Sequence, residues 1–132
     1  MKNVLFVCVE NAGRSQMAEA FTNKYSEGKI KATSAGTRPA NSVNTTVARV
    51  MLEKGIDISG NRPKLISKDA TKDADIAVTM GCYEAEGICP APMLRDAVDW
   101  NIEDPKGKPI EDVRRIRDQI EKRVKELIDQ IE

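Results

Sequence analysis

The sequence predicts an α/β fold, a three-layer α/β/α arrangement around a four-stranded parallel sheet in the order 2-1-3-4. Three observations predict it. Apolar strand-like runs alternate with stretches of helical periodicity along the whole chain. The first run, Val4 to Val9, is apolar throughout, as a strand buried on both faces must be. No repeat, low-complexity stretch or linker interrupts the 132 residues, so one domain over 1–132 is expected.

Each element follows from local chemistry. Lys2 to Val9 is the first strand, and residues 8–14 connect it to a helix. Ser15 is expected to N-cap that helix, with Met17, Ala18, Ala20, Phe21 and Tyr25 inward and Gly28 closing it. Ile30 to Ala35 is the second strand, ended by Gly36. Beyond the Pro39–Ser42 loop, Val43 to Lys54 reads as a helix on the spacing of Val43, Val47, Val50 and Met51, with Gly55 at its end. Ile56 to Lys64 is irregular, and Ser67 to Asp73 holds a short helix. Asp75 to Met80 is the third strand, stopped by Gly81. Cys82 to Pro92 is a cysteine-bearing segment with a short helix ended by Pro90. Ala97 to Trp100 is the fourth strand, and Asp104 to Pro109 is a turn-rich loop. Ile110 to Ile131 is a long amphipathic helix with the stripe Ile110, Val113, Ile116, Ile120, Val124, Leu127, Ile128 and Ile131. Its pairs Glu111/Arg115, Asp118/Lys122 and Glu121/Lys125 are spaced to meet on a solvated face.

Composition excludes several functions. Lys+Arg and Asp+Glu both number 21, so no net charge draws the chain to nucleic acid or to an anionic membrane. The longest apolar run is far short of the roughly 20 residues of a membrane span. The N-terminus is too brief for a secretory signal, so a cytoplasmic address is expected, and a monomer. There are three cysteines and no histidine. An odd count cannot pair fully within the chain, and a reducing compartment keeps thiols free for packing, metal or redox chemistry. Without histidine there is no Ser-His-Asp triad, no Cys-His dyad and no His-ligated zinc.

In a doubly wound sheet the ligand sits beyond the carboxyl ends of the strands. Those ends carry Cys8 on strand 1, Cys82 on strand 3 and Asp104 after strand 4. The loop Cys8-Val9-Glu10-Asn11-Ala12-Gly13-Arg14-Ser15 joins a strand to a helix. Such a turn aims successive backbone N–H groups, here over Val9, Glu10, Asn11, Ala12, Gly13 and Arg14, at a tetrahedral oxyanion, and the helix dipole adds to them. The same groups stabilise a thiolate on Cys8, and the Ser15 hydroxyl can donate to that sulfur. Arg14 offers a planar fork that lysine cannot match. Against this stands the plain reading of Cys8 as a core residue at a strand end. Glu10 opposes an anion unless its carboxylate points outward.

Cys82 and Cys89 lie two turns apart on a continuous helix, roughly 10.5 Å, beyond disulfide reach unless the segment deforms at Gly87 or Pro90. Zinc and two unrelated buried thiols are the competing uses. Asp104-Pro105 is either a general acid poised over the oxyanion or an ordinary Asp-Pro turn.

These residues together resemble the thioredoxin-coupled arsenate reductases of the low-molecular-weight tyrosine phosphatase fold, over nearly the whole chain. The resemblance is carried by Val4-Leu5-Phe6-Val7-Cys8, Asn11, Arg14-Ser15-Gln16-Met17-Ala18-Glu19-Ala20 and Ser34-Ala35-Gly36. It continues in Ile56-Asp57-Ile58-Ser59, Ala77-Val78-Thr79-Met80, the pair Cys82 and Cys89 before Pro90, Trp100 to Pro105, and Val113 to Ile120. It implies a three-thiol relay on arsenate. Cys8 attacks the oxyanion held by Arg14 and the loop amides, and Asp104 protonates a departing oxygen. Cys82 then attacks Cys8 and releases arsenite, and Cys89 moves the disulfide to Cys82–Cys89 for reduction by thioredoxin or a similar dithiol protein. Two thiols becoming a disulfide supply the two electrons that arsenic(V) accepts. The alternative within the fold is a low-molecular-weight tyrosine phosphatase, using Cys8, Arg14 and Asp104 on phosphate esters. No cofactor is implied. Some relatives hold potassium near the loop; Asn11, Glu19 and Ser34 match that site, but Pro63-Lys64-Leu65 does not, so no metal site is expected. Val9, Glu10 and Gly13 also depart from the commoner loop. Lys106 stands after the Asp-Pro where the tyrosine phosphatases carry the aromatic wall that stacks a substrate ring.

Overall fold

The computed structural model describes residues 2–80 and 98–131. Its elements, in chain order, are β1 (Lys2–Cys8), α1 (Arg14–Tyr25), β2 (Ile30–Gly36), α2 (Thr45–Leu52), α3 (Lys68–Asp73), β3 (Ile76–Thr79), β4 (Val98–Asp99) and α4 (Ile110–Ile131). The sheet order is β2-β1-β3-β4, and every neighbouring pair is parallel. This is the predicted order. The expected stop at Gly81, the helix within Cys82–Pro92 and the first residue of the fourth strand, Ala97, lie outside the described residues.

The continuous apolar run of β1 is explained by burial on both sides. Val4, Phe6 and Cys8 face the larger core with Met17 and Phe21 of α1, Val47 and Met51 of α2, and Val113, Ile116, Ile120 and Val124 of α4. Leu5 and Val7 face a smaller cluster with Ala35 and Ala77, against which Ala70 of α3 packs. Phe6 meets Trp100 with ring centroids 5.5 Å apart. Each such fully buried side chain contributes about 1.5–3 kcal/mol relative to exposure, so the α4 stripe is what fixes that helix to the sheet.

The register sets the site. Cys8 stands opposite Gly36, and Val7 stands opposite both Ala35 and Thr79. The carboxyl ends of β1, β2 and β3 therefore finish at one edge. Beyond β2, Gly36 N–H donates to Lys64 O at 2.7 Å and Ile66 N–H to Gly36 O at 2.9 Å, so a stretch that the sequence leaves irregular bridges to the end of β2.

Several boundaries move for physical reasons. The first helix begins at Arg14 with Gly13 as its N-cap and no side-chain cap, not at a capping Ser15, because the Ser15 hydroxyl is used elsewhere. The second begins at Thr45, not Val43: the Asn44 carboxamide oxygen accepts from the N–H groups of Thr46 and Val47 at 2.9 and 3.1 Å, which makes Asn44 the cap. On α4, Arg115 reaches Glu103 at 3.1 Å, and Glu121 takes Tyr25 and Lys54 at 2.5 and 3.2 Å. Contacts between elements thus compete with the expected pairing along the helix.

Candidate active site

The connection from β1 to α1 is a cradle built from its carbonyls outward. Each carbonyl from Cys8 to Gly13 accepts a hydrogen bond. The donors are Thr37 N to Cys8 O at 3.2 Å, Arg38 N to Val9 O at 2.8 Å, Ala40 N to Glu10 O at 3.0 Å, Gln16 Nε2 to Asn11 O at 3.1 Å, Asn44 N to Ala12 O at 2.9 Å and Met17 N to Gly13 O at 2.9 Å. Carbonyls held this way by the surrounding chain are kept from turning toward an anion. Asn11 takes φ of +53°, a left-handed conformation that asparagine tolerates better than most side chains. The loop lies so close to β2 that a Cβ on Gly36 would stand 2.5 Å from Val9 O.

The Asn11 carboxamide beside the sulfur has a determined orientation. Lys64 N–H, which can only donate, lies 2.9 Å from Asn11 Oδ1. That fixes Asn11 Oδ1 as an acceptor and Nδ2 as a donor, 2.7 Å from Ser15 Oγ. The Ser15 hydroxyl, accepting there, lies 2.8 Å from Cys8 Sγ, and either atom can be the donor in that bond. Asn11 N–H donates to that sulfur at 3.2 Å. Gln16 Nε2 donates to Asn11 Oδ1 at 3.2 Å while its Oε1 accepts from Asn61 Nδ2, also at 3.2 Å. Cys8, Asn11, Ser15 and Gln16 are all buried. A buried sulfur with a main-chain N–H and a hydroxyl as hydrogen-bond partners has more than apolar packing around it, which weighs against the packing-only reading of Cys8. Sequence reading missed Gln16, Asn61 and Lys64. Of these only Gln16 is buried; Asn61 and Lys64 stay exposed and reach the cradle through a side-chain amide and a main-chain N–H, which no sequence pattern marks.

Arg14 is anchored rather than free. Its Nη1 donates to Met80 O at 2.5 Å and Ile102 O at 2.8 Å, and Nη2 lies 4.0 Å from Asp104 Oδ2. The guanidinium is therefore pre-positioned by the ends of β3 and β4 before any anion arrives. Asp104 stands in the Asp-Pro turn beside Arg14. Its Oδ1 accepts the Lys106 N–H at 3.1 Å, as in an ordinary Asp-Pro turn, while Oδ2 lies toward Arg14 and its side chain is 57% exposed. Pro105 packs on the cradle, where a Cβ on Gly13 would lie 3.0 Å from its Cγ.

These residues line one cleft of about 380 Å³, with Cys8, Arg14 and Asp104 at one side and Ser42, Thr45 and Thr46 at another. No aromatic side chain is among its described lining residues. Glu10 neither faces an anion alone nor points freely outward, because Lys106 Nζ lies 3.0 Å from its Oε2. Cys82 and Cys89 lie outside the described residues. The residues that match the relatives' potassium site are committed within the chain. Glu19 accepts the Ser34 hydroxyl at 2.9 Å and lies 3.8 Å from Lys64 Nζ, and Asn11 Oδ1 is taken as above. That donor set does not fit a cation. Among the described residues no group of three or more acidic or cysteine side chains could hold a metal.

The family model described as low molecular weight phosphotyrosine protein phosphatase matches residues 3–132. The chain belongs to that family. Within this phosphatase family it is similar to the arsenate reductase of Brevibacillus brevis, 39% identical over 96% of this chain and 93% of that protein. It is also similar to the glutaredoxin arsenate reductase of Synechocystis, 38% identical over 99% of each chain. A solved structure described as an arsenate reductase in the phosphate binding state superposes with a TM-score of 0.88 at 38% identity, covering 100% of both chains. No helix among the described residues is long and apolar enough to cross a membrane.

Proposed function

We propose that this chain reduces arsenate to arsenite, with Cys8 as nucleophile, Cys82 and Cys89 as a disulfide shuttle, and a thioredoxin- or glutaredoxin-like dithiol protein as the source of electrons. The observation that carries the reading is the sulfur of Cys8, buried at the start of the cradle with the Ser15 hydroxyl at 2.8 Å and the Asn11 N–H donating to it at 3.2 Å. Two further cysteines in the same short chain complete the electron count.

The oxyanion enters the cleft and meets the loop amides and Nη2 of Arg14. The Cys8 thiolate attacks arsenic(V), and Asp104 gives a proton to the oxygen that leaves as water. Cys82 then attacks Cys8 Sγ. The arsenic–sulfur bond breaks with its electron pair remaining on arsenic, which departs as arsenite, and a Cys8–Cys82 disulfide remains. Cys89 attacks Cys82, restoring the Cys8 thiolate and leaving Cys82–Cys89 oxidised. A partner dithiol reduces that bridge, which suits a reducing, cytoplasmic setting. The parts given to Cys82 and Cys89 rest on the sequence resemblance and on the arsenate reductases to which the chain is similar.

The same cradle suits a phosphate monoester, and the family's description favours that second reading. The cleft offers a phenyl ring no aromatic partner among its described lining residues, which weighs against phosphotyrosine. Cys82→Ser separates the two. The reductase reading expects arsenate turnover with a thioredoxin system to vanish while any hydrolysis of p-nitrophenyl phosphate persists. Undiminished arsenate turnover in that variant would rule out the relay.

A further inference from the structure

We propose that Glu10 and Lys106 form a self-neutralising charge gate at the mouth of the cradle, which sets how tightly the oxyanion is held. The proposal deepens the oxyanion-site reading above and rests on it. Lys106 Nζ lies 3.2 and 3.0 Å from the two carboxylate oxygens of Glu10, and both side chains line the cleft that holds Cys8 and Arg14. The contact joins the cradle to the loop that carries Asp104.

That loop has other anchors. Pro105 rests against Gly13, Lys106 N–H is bound by Asp104 Oδ1, and Arg14 reaches the Ile102 carbonyl. The ion pair is thus not needed to place the loop, and as an exposed pair it adds little to stability. Its consequence is electrostatic. Apart from the Cys8 sulfur, four charged side chains line the cleft among the described residues, Arg14 and Lys106 against Glu10 and Asp104, and these four cancel. An incoming dianion then gains from the main-chain donors and the anchored guanidinium, and little from net charge.

Cancellation gives the two halves of the pair opposite effects. Lys106→Met leaves the Glu10 carboxylate uncompensated beside the anion and weakens binding. Glu10→Gln frees the ammonium, makes the cleft one charge more positive and tightens binding. Each shift is expected to be about three- to tenfold at low ionic strength and to shrink toward none as salt screens the exposed groups. The double variant, again neutral, returns close to the wild-type value. A purely structural tie would behave differently, since cutting it from either side would do the same damage.

The test is the dissociation constant of inorganic phosphate, measured by calorimetry on the wild-type chain and the three variants at low and high salt. The KM and kcat for arsenate are measured on the same four proteins. The gate predicts opposite shifts of the two single variants in both the phosphate constant and KM, and near-recovery in the double variant. Shifts of both single variants in one direction, or no shift in either, would overturn it. Phosphate binding involves no electron transfer, so the two ideas fail separately. A wild-type protein that binds phosphate with this pattern but leaves arsenate unreduced defeats the reductase reading and spares the gate.

Discussion

Asn11 carries most of the order in the cradle. Its carboxamide is pinned by the Lys64 N–H, and that single fixed donor turns its Nδ2 toward the Ser15 hydroxyl beside Cys8. A hydrogen bond to a charged group is worth about 1.5–3 kcal/mol. Ser15→Ala is therefore expected to lower kcat/KM for arsenate about ten- to hundredfold, with the melting temperature little changed; steady-state kinetics and thermal melts check both. Gly36 makes a second prediction at this scale. An added Cβ would stand 2.5 Å from Val9 O, so Gly36→Ala has to push the cradle away. Overpacking of this kind costs about 1–3 kcal/mol, and activity should fall with stability. Gly60→Ala, where nothing lies within 4 Å of the added atom, serves as the silent control. The contiguous loop from Cys8 to Ser15 was legible because a strand, a turn and a helix start bracket its reactive groups in sequence. The supports from Gln16, Asn61 and Lys64 were not, since Gln16 turns back onto Asn11 by its side chain while Asn61 and Lys64 reach in from a distant, exposed segment, and nothing local marks either contact.

The helices show where local rules succeed and where contacts between elements override them. The bounds of α4 follow from its apolar stripe alone, and Val113, Ile116, Ile120, Val124 and Ile128 are buried as that stripe requires. Arg117 breaks the pattern. It is buried beside Ile116, with Nη1 donating to Val50 O at 3.0 Å and to Glu53 Oε1 at 2.7 Å, so it ties α4 to the end of α2. Its Nε also donates to the neighbouring Asp118 at 2.9 Å, but the partners of Nη1 lie at the end of α2, and no periodicity within α4 could reveal them. Glu53 also receives Arg114, and these two arginines, Arg114 first, hold its carboxyl down at about 2, from an ordinary value of 4.5. A carboxylate depressed in the folded state adds stability above its unfolded value and loses it as pH falls toward the folded one. Glu53 should therefore stabilise the fold above about pH 4.5 and cease to do so near pH 2. Glu53→Gln should show a lower melting temperature at neutral pH and a flatter decline across that acid window. Asn44 serves two elements at once, capping α2 with its side chain and holding Ala12 O with its N–H. Asn44→Ala removes only the cap and should cost about 1 kcal/mol in denaturant melts.

At the scale of the whole molecule, topology does the assembling. The order β2-β1-β3-β4 places Cys8, Gly36 and the end of β3 side by side, and Met80 O and Ile102 O then fix the guanidinium that follows the cradle. Alternation of strand and helix made that order legible from sequence. The smaller core on the α3 side and the bridge from Leu65 to Gly36 were not, because an isolated bridge has no periodicity to read. The relay itself belongs to this scale, since it asks three sulfurs from distant parts of the chain to act in turn. The most direct measurement is a free-thiol count on the reduced protein, before and after arsenate and without any external reductant, followed by peptide mass mapping. The chain has three cysteines. The account predicts that two of the three thiols disappear, with arsenite released in equal amount to protein and a disulfide mapped to Cys82–Cys89. Three thiols still free after arsenate, with no arsenite formed, would contradict it.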